Sequence, residues 1–508
     1  MLRPFLHNTA ISAIAYGAAG VLGLLSVGLI AKSYGIAILG LLVLVRAFLP
    51  SGFLALIDFG VSELATQVVA RGRLGDWRLA SEKVSLLTLI AMATGTISSM
   101  ALWLASTWLA VALKVQHEQV LGFVSMLHVT ALVLPICFVG LVVEGVLKGF
   151  EQYAWLRLTE VGSSLLYIGS IYLAAWEQAP FEWLAYAYLG TTVTKYLVLG
   201  IVVKSTVHGS LLSFTLWTEA SRKDLLHRCL QMFNNRIAGT LQHTLPPLVI
   251  GFLFSPIEVG TYDLITRLPR FLKATMGPLY SAILPLSARI EETTDTRRLQ
   301  ILGRNGLVLP AAFVLPVLMV LALCSRQVLT VWVGPQHSQE WPWVAMSMLV
   351  PAITIQLGAG QTALMVKSEF LSFSTKLLYL QVLTQYTITL LTLAWFREHA
   401  FILGWTISHV VFAPLLAHNM LAQMSLPNSL FWGQLSRHLV VGIILSGIVG
   451  LCKFVLPLES LSELVILGGL LCLIALALSS AIVLTSAERV MFGRLGRALV
   501  RREKAPSR

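Results

Sequence analysis

Residues 33–73 read SYGIAILGLLVLVRAFLPSGFLALIDFGVSELATQVVARGR, and the passage of this stretch from apolar to charged decides the fold. The part from Ile36 to Ile57 is long and apolar enough to span a bilayer. It carries Arg46 near its middle, where a cation is costly unless it faces a partner or a water-filled cavity. Pro50-Ser51-Gly52 interrupts the helix, and a break at that depth needs protein groups or water to satisfy the freed backbone. The chain then exits through Ile57-Asp58-Phe59-Gly60 into what is expected to be a basic loop. A polar interior is implied.

Composition points the same way. The 508 residues are 56% hydrophobic and 12% charged, with a mean hydropathy of +0.80, whereas a soluble chain carries about 25% charged residues. The longest polar stretch, Lys204 to Phe233, is too short for an independent soluble domain. The apolar runs are continuous and about twenty residues long, which excludes the short alternating segments of an outer-membrane barrel. The expected class is an all-α polytopic membrane protein. The net charge of +12 does not indicate a nucleic-acid partner, because the basic residues sit in short loops on one side. Cys137, Cys229, Cys324, Cys452 and Cys472 lie in or beside apolar segments without CxxC spacing, as small core residues do, so no metal site is expected.

Apolar runs fall near 10–31, 36–57, 84–106, 121–146, 161–176, 183–203, 234–254, 261–288, 305–329, 343–365, 377–396, 400–421, 438–456 and 463–486, about fourteen spans in all. The first is read as an uncleaved span, since it is long and lacks a cleavage site. Of the 36 Lys and Arg, five lie inside spans; the others divide 26 to 5 between alternating sides, with both termini on the basic, hence cytoplasmic, side. Trp108, Trp176, Trp183, Trp332, Trp341, Trp343 and Trp395 gather at the opposite ends as an interfacial belt would.

A shift of 220 residues lays Gly40 on Gly260 and brings Arg46 to within one position of the counterpart of Arg267. Internal repeats of this kind place transporter sites at the repeat interface. The five basic residues inside spans are Arg46, Lys195, Arg267, Arg270 and Lys273. Arg267 and Arg270 neighbour one another on a helix, and Arg267 can pair with Asp263 four residues earlier. Lys195 reads first as a residue that snorkels or meets a partner on another helix. Arg46 has no carboxylate within a turn, so the bases outnumber Asp263 and point to an anionic ligand, for which the arginine fork suits phosphate. Arg46, Arg267, Arg270 and Lys273 are the candidate substrate-binding residues. Among the carboxylates, Asp58, Glu63 and Glu160 read as boundary residues, while Glu144 and Asp263 are candidates for coupling to H⁺ or Na⁺.

No GxxxxGK[ST] loop is present, so no intrinsic ATPase is expected. Gly17, Gly20 and Gly23 form a close-packing face of the first span, beside a polar stripe of Asn8, Thr9, Ser12 and Tyr16. The tail from Glu488 to Arg508 is basic and partly amphipathic, suited to the anionic inner leaflet.

The run GLIAKSYGIAILGLLVLVRAFLPSGFLALIDFGVSELATQVVARGR (28–73) resembles the opening of the polysaccharide (O-antigen-type) flippases of the MATE-like MOP exporter superfamily. GVLKGFEQYAWLRLTEVGSSL (145–165) resembles their fourth-to-fifth span connection. PPLVIGFLFSPIEVGTYDLITRLPRFLKATMGPLYSAILPLSARIEE (246–292) is similar to their seventh and eighth spans, and PAITIQLGAGQTALMVKSEF (351–370) to their tenth. The resemblance implies two pseudo-symmetric six-helix lobes, 1–206 and 234–421, joined by a cytoplasmic linker at 207–233. Spans 13 and 14 (422–486) and the tail 487–508 would be peripheral. It further implies a non-enzymatic secondary transporter without cofactor in a bacterial inner membrane. Its substrate would be a polyprenyl-pyrophosphate-linked oligosaccharide, bound in a central cationic cavity, with membrane lipids and other polysaccharide-assembly proteins as partners. His243 and Pro246-Pro247 stand where members often carry an acid, and Glu63 replaces a commonly small residue, which leaves the coupling ion open. Peptidoglycan-precursor flippases share the basic second and eighth spans. A drug/cation antiporter would need an acidic cavity, and a membrane glycosyltransferase or glycan polymerase a larger outer loop than Thr330 to Pro342.

Overall fold

The apolar runs fold as helices because in a bilayer every backbone group must be bonded within its own segment. The computed structural model describes residues 2–73, 77–207, 219–277, 296–455 and 460–486, together with Tyr280, Ile283, Ser287, Glu488 and Arg489. The side chains of Asn8, Thr9, Ser12 and Tyr16, the linker segment 208–218 and the basic tail beyond Arg489 lie outside the described residues. Among the described residues there is no strand. The helices are α1 Leu2–Tyr34, α2 Ile36–Ala47, α3 Val61–Gly72, α4 Trp77–Ala112, α5 Val120–Gly149, α6 Tyr153–Trp176, α7 Glu182–Thr206, α8 Glu219–His243, α9 Leu245–Leu253 and α10 Pro256–Thr275. After them come α11 Thr296–Leu323, α12 Ser325–Val333, α13 Trp341–Ser347, α14 Leu349–Leu364, α15 Ser368–Phe396, α16 His399–Gln423, α17 Ser429–Val455 and α18 Leu461–Ile482.

Each expected span carries a helix, and among the described residues 11 helices are long and apolar enough to cross a membrane. Their outer faces are bare hydrocarbon, with Leu121 85% and Trp395 77% exposed; water would not tolerate so much apolar surface, whereas lipid requires it. The chain is a multi-pass membrane protein. Three expected spans fall short for a physical reason. The second is cut to twelve residues at Ala47. The seventh breaks at Thr244 ahead of Pro246 and Pro247, and the eighth is loaded with Asp263, Arg267, Arg270 and Lys273. The second and eighth carry the charged residues Arg46, Asp263, Arg267 and Arg270.

The structure corrects the expected basic loop after Gly60. That stretch is the amphipathic helix α3, whose Val61, Leu64, Ala65 and Val69 recur at helical spacing and are buried. Asp58 sets its start: the Asp58 carboxylate accepts the Gly60 N–H at 2.8 Å, while Phe59 and Gly60 both take left-handed conformations (φ 51° and 67°). Gly60 fits there because it carries no Cβ to strain the turn or to press on Met232.

The chain forms two compact units, residues 1–271 with 382–404, and residues 272–381 with 405–508. In the first, α4 packs along α5, α1 on α6, and α5 on both α7 and α3. Its proline break is bridged by α15: the Tyr386 hydroxyl donates to the Leu241 carbonyl at 2.6 Å and Gln385 Nε2 to the Gln242 carbonyl at 3.4 Å. Those donors serve carbonyls that the broken helix leaves short. At the other end of this unit α2 and α10 cross at backbone contact. A Cβ on Gly40 would collide with the Pro256 carbonyl, and one on Gly260 with the Ile36 carbonyl. An offset of 220 residues carries 36 to 256 and 40 to 260, so the contact is its own two-fold image.

In the second unit α11 packs on α14, α17 and α18, around Leu307, Phe370, Met420, Val441 and Leu471. The Ser479 hydroxyl donates to the Ala312 carbonyl at 2.8 Å, and His438 Nε2 lies 3.2 Å from the Ala311 carbonyl.

Candidate anion-binding site

Arg46 sits in the last turn of α2, where the helix C-terminal dipole favours a cation. Its guanidinium lies 4.2 Å from the ring centre of Tyr188 on α7 and 5.3 Å from that of Tyr167 on α6. The two rings meet edge to face at 5.3 Å. Aromatic faces attract a desolvated cation through their quadrupoles, which is how Arg46 is held without a carboxylate in its own helix. Its Nε is buried and has no hydrogen-bond partner.

On α10, Asp263, Arg267 and Arg270 stand at i, i+4 and i+7, on one face. Asp263 Oδ1 accepts from Arg270 Nη2 at 2.5 Å and lies 3.7 Å from Arg267 Nη1. Arg270 is also tied to its own helix, Nε to the Thr266 carbonyl at 3.2 Å and Nη2 to the Thr266 hydroxyl at 2.8 Å. Asp263 is 2% exposed and its Oδ2 is unpartnered. Arg46 and Arg267 are enclosed by protein and interact electrostatically with each other and with Asp263, yet 28% of the Arg267 side chain and 31% of Arg270 remain accessible. The arrangement brings Arg46, Arg267 and Arg270 together around one carboxylate, leaving two positive charges in excess.

Lys273 follows on the same helix but belongs to the second unit, where it acts electrostatically on His409. Lys195 meets Glu144 of α5 at 2.8 Å and lies 4.4 Å from the Tyr196 ring centre. Glu144 also faces Lys148 at 3.7 Å, and Lys148 reaches the Ser62 hydroxyl at 3.2 Å. Of the two carboxylates considered for ion coupling, then, Glu144 is engaged by lysines and Asp263 by arginines. Glu160 pairs with Arg157 at 2.5 Å. The boundary acids Asp58 and Glu63 share Arg236 of α8, which binds Asp58 and lies 2.7 Å from Glu63. Among the described residues no group of three or more His, Cys, Asp or Glu is placed to hold a metal ion.

Tyr167, Tyr188 and Thr266 were not legible as site residues. Tyrosine and threonine are ordinary in a span, and the one available signal is that Tyr188 lies two turns from Lys195 on the same face of α7.

Residues 54–342, more than half of the chain, match the family model described as polysaccharide biosynthesis protein. The lipid II flippase MurJ in an inward-closed conformation superposes with a TM-score of 0.71 at 14% identity, covering 93% of this chain and 98% of that one. An inward-facing multidrug-resistance MATE transporter of the MOP superfamily gives 0.56 at 14% identity over 82% and 94%. A eukaryotic MATE transporter gives 0.54 at 14% identity over 82% and 96%. No curated protein matches in sequence. The family match and the shared architecture converge: this chain belongs to the polysaccharide biosynthesis protein family, with the fold seen in the lipid II flippase MurJ and in MATE transporters.

Proposed function

We propose that the protein is a flippase that moves a polyprenyl-diphosphate-linked oligosaccharide from the cytoplasmic to the outer leaflet of the inner membrane. The observation that carries this reading is the triad Arg46, Arg267 and Arg270 around a single carboxylate, with the side chains of Arg267 and Arg270 still partly accessible. Guanidinium groups bind phosphate oxygens in pairs, and a low-dielectric surround strengthens each contact. A diphosphate diester carries two negative charges, matching the excess of two on the site. The lipid chain would stay in the bilayer and the sugars would occupy the polar interior. The cationic site argues against a drug/cation exporter. Lipid II, the substrate named for MurJ, is also a lipid diphosphate, so the glycan rather than the anion separates those two readings.

Arg46→Ala and Arg270→Ala, each produced at normal abundance, are expected to abolish surface glycan in the native host. Normal export by both would remove the anion site from the mechanism. Restoration of growth in a strain depleted of its lipid II flippase would redirect the substrate to the peptidoglycan precursor.

A further inference from the structure

Several ion pairs in this protein join separate elements, as Lys195 of α7 does with Glu144 of α5 and Arg236 of α8 with Asp58 ahead of α3. The direct pairs of Asp263 do not. Its partners Arg267 and Arg270 lie on α10 itself, as does Thr266, which takes two further donors of Arg270. These contacts fold the arginines back along their own helix and tie no second helix to it. A buried carboxylate is costly to desolvate, and the unpartnered Oδ2 of Asp263 adds to that cost. The direct contacts therefore act mainly on the arginines.

We infer that Asp263 is a resident counterion that competes with the substrate diphosphate for Arg267 and Arg270, and thereby limits the affinity of the site. The inference rests on the anion-binding reading above. An incoming diphosphate needs the donors of Arg270 that Asp263 and Thr266 occupy and draws Arg267 away from Asp263, so what the ligand gains from these two arginines is offset by contacts released on α10. A carrier needs this balance, because binding must be favourable enough for entry and weak enough for release. The carboxylate also keeps three buried cations from facing one another uncompensated in the empty site. Asp263 is thus an affinity-setting residue, and its loss should tighten binding while slowing transport.

The test uses the full-length protein in phospholipid nanodiscs, with undecaprenyl diphosphate as the probe. Asp263→Asn keeps the shape and removes the charge; it is expected to bind the probe about tenfold more tightly, the scale of one charge-assisted hydrogen bond. Its melting temperature without ligand should fall, its ligand-induced rise in melting temperature should grow, and glycan export in cells should drop. Unchanged or weaker binding by folded Asp263→Asn protein would overturn the inference. Where that variant does not fold, Thr266→Val decides: it frees Arg270 from its second tether and is expected to tighten binding about threefold, and unchanged or weaker binding counts against the proposal. Arg46→Ala and Arg270→Ala separate the two levels. If neither weakens probe binding, the anion site itself is wrong; if both do and the acid variants fail to tighten it, only the role of Asp263 falls.

Discussion

A guanidinium inside a membrane needs compensation, and Arg46 obtains it from two aromatic faces. A ring face, unlike a carboxylate, does not compete for N–H donors, and the Nε of Arg46 is left without a partner. Tyr188, the nearer ring at 4.2 Å, should therefore be replaceable by Phe, which keeps the quadrupole, but not by Leu. Desolvated cation–π contacts are worth about 2 kcal/mol, so Tyr188→Leu is expected to weaken undecaprenyl diphosphate binding roughly tenfold or more. Tyr188→Phe should stay near wild type; equal losses from both would show that the hydroxyl, not the face, positions Arg46. A second residue-scale prediction lies outside the spans. Burial opposes ionisation of Glu488, but the Thr485 N–H and hydroxyl and the Arg304 guanidinium outweigh it and hold its carboxyl below the ordinary glutamate range. A carboxylate whose folded value is depressed stabilises above its unfolded value, and the contribution fades as pH falls through the folded one. Amide exchange at Thr485 and Arg489 should be slow at neutral pH and accelerate below the ordinary glutamate range; in Glu488→Gln both should exchange fast at either pH, and a pH-independent wild type would refute this. At this scale the sequence showed the charges, because Arg and Asp in apolar runs stand out. It could not show the tyrosines, whose role exists only once three helices meet.

Among the elements, the crossing of α2 and α10 is the tightest constraint. Backbones approach this closely only where no Cβ intervenes, and Gly260 N would lie 3.0 Å from a Cβ built on Gly40. Gly260→Val must push the helices apart, and overpacking of this kind costs about 1–3 kcal/mol. The variant should lose several degrees of melting temperature or fall in abundance. The close-packing face expected of Gly17, Gly20 and Gly23 is met only at Gly20, against Phe271; Gly23→Ala, where a Cβ would meet nothing within 4 Å, should be neutral or slightly stabilising because alanine is the better helix former. Equal behaviour of the two would mean that the crossing tolerates a gap. The 220-residue echo announced this symmetry in the sequence, since Gly40 and Gly260 are the residues it superposes. Helix α3 was hidden for the opposite reason: Glu63, Gln67 and Arg71 mask its apolar stripe, so the charge pattern of a loop and of an amphipathic helix look alike until burial separates them. The apolar run 234–254 reads as one whole span; Pro246 and Pro247 break it, and the partners that satisfy the break, Gln385 and Tyr386, lie more than a hundred residues away.

A flippase must close one end while the other is open, and at the scale of the whole molecule the contacts of Arg236 supply a candidate closure. Its guanidinium binds Asp58, reaches Glu63 at 2.7 Å and the Ala55 carbonyl at 3.4 Å, while Phe233 meets Phe59 at 6.0 Å. This one side chain fastens α8 to both the exit turn of α2 and the first turn of α3. Asp58 is only 5% exposed, so removing its partner strands a buried charge, a loss larger than that of a surface pair. The charge count of the loops assigns this end to the cytoplasmic side as an expectation, and on that reading the latch would close the cytoplasmic gate. Cys229 reports on it: the thiol lies seven residues before Arg236 on the same face of α8 and is 3% exposed. With the other four cysteines replaced, Cys229 should resist a membrane-impermeant maleimide in the wild type. It should react several times faster in Arg236→Gln or in the Asp58→Asn/Glu63→Gln pair, and only when the reagent is presented from the cytoplasmic side. Labelling that ignores the latch would leave the gate elsewhere. Labelling from the outside would invert the topology that the positive charges assign.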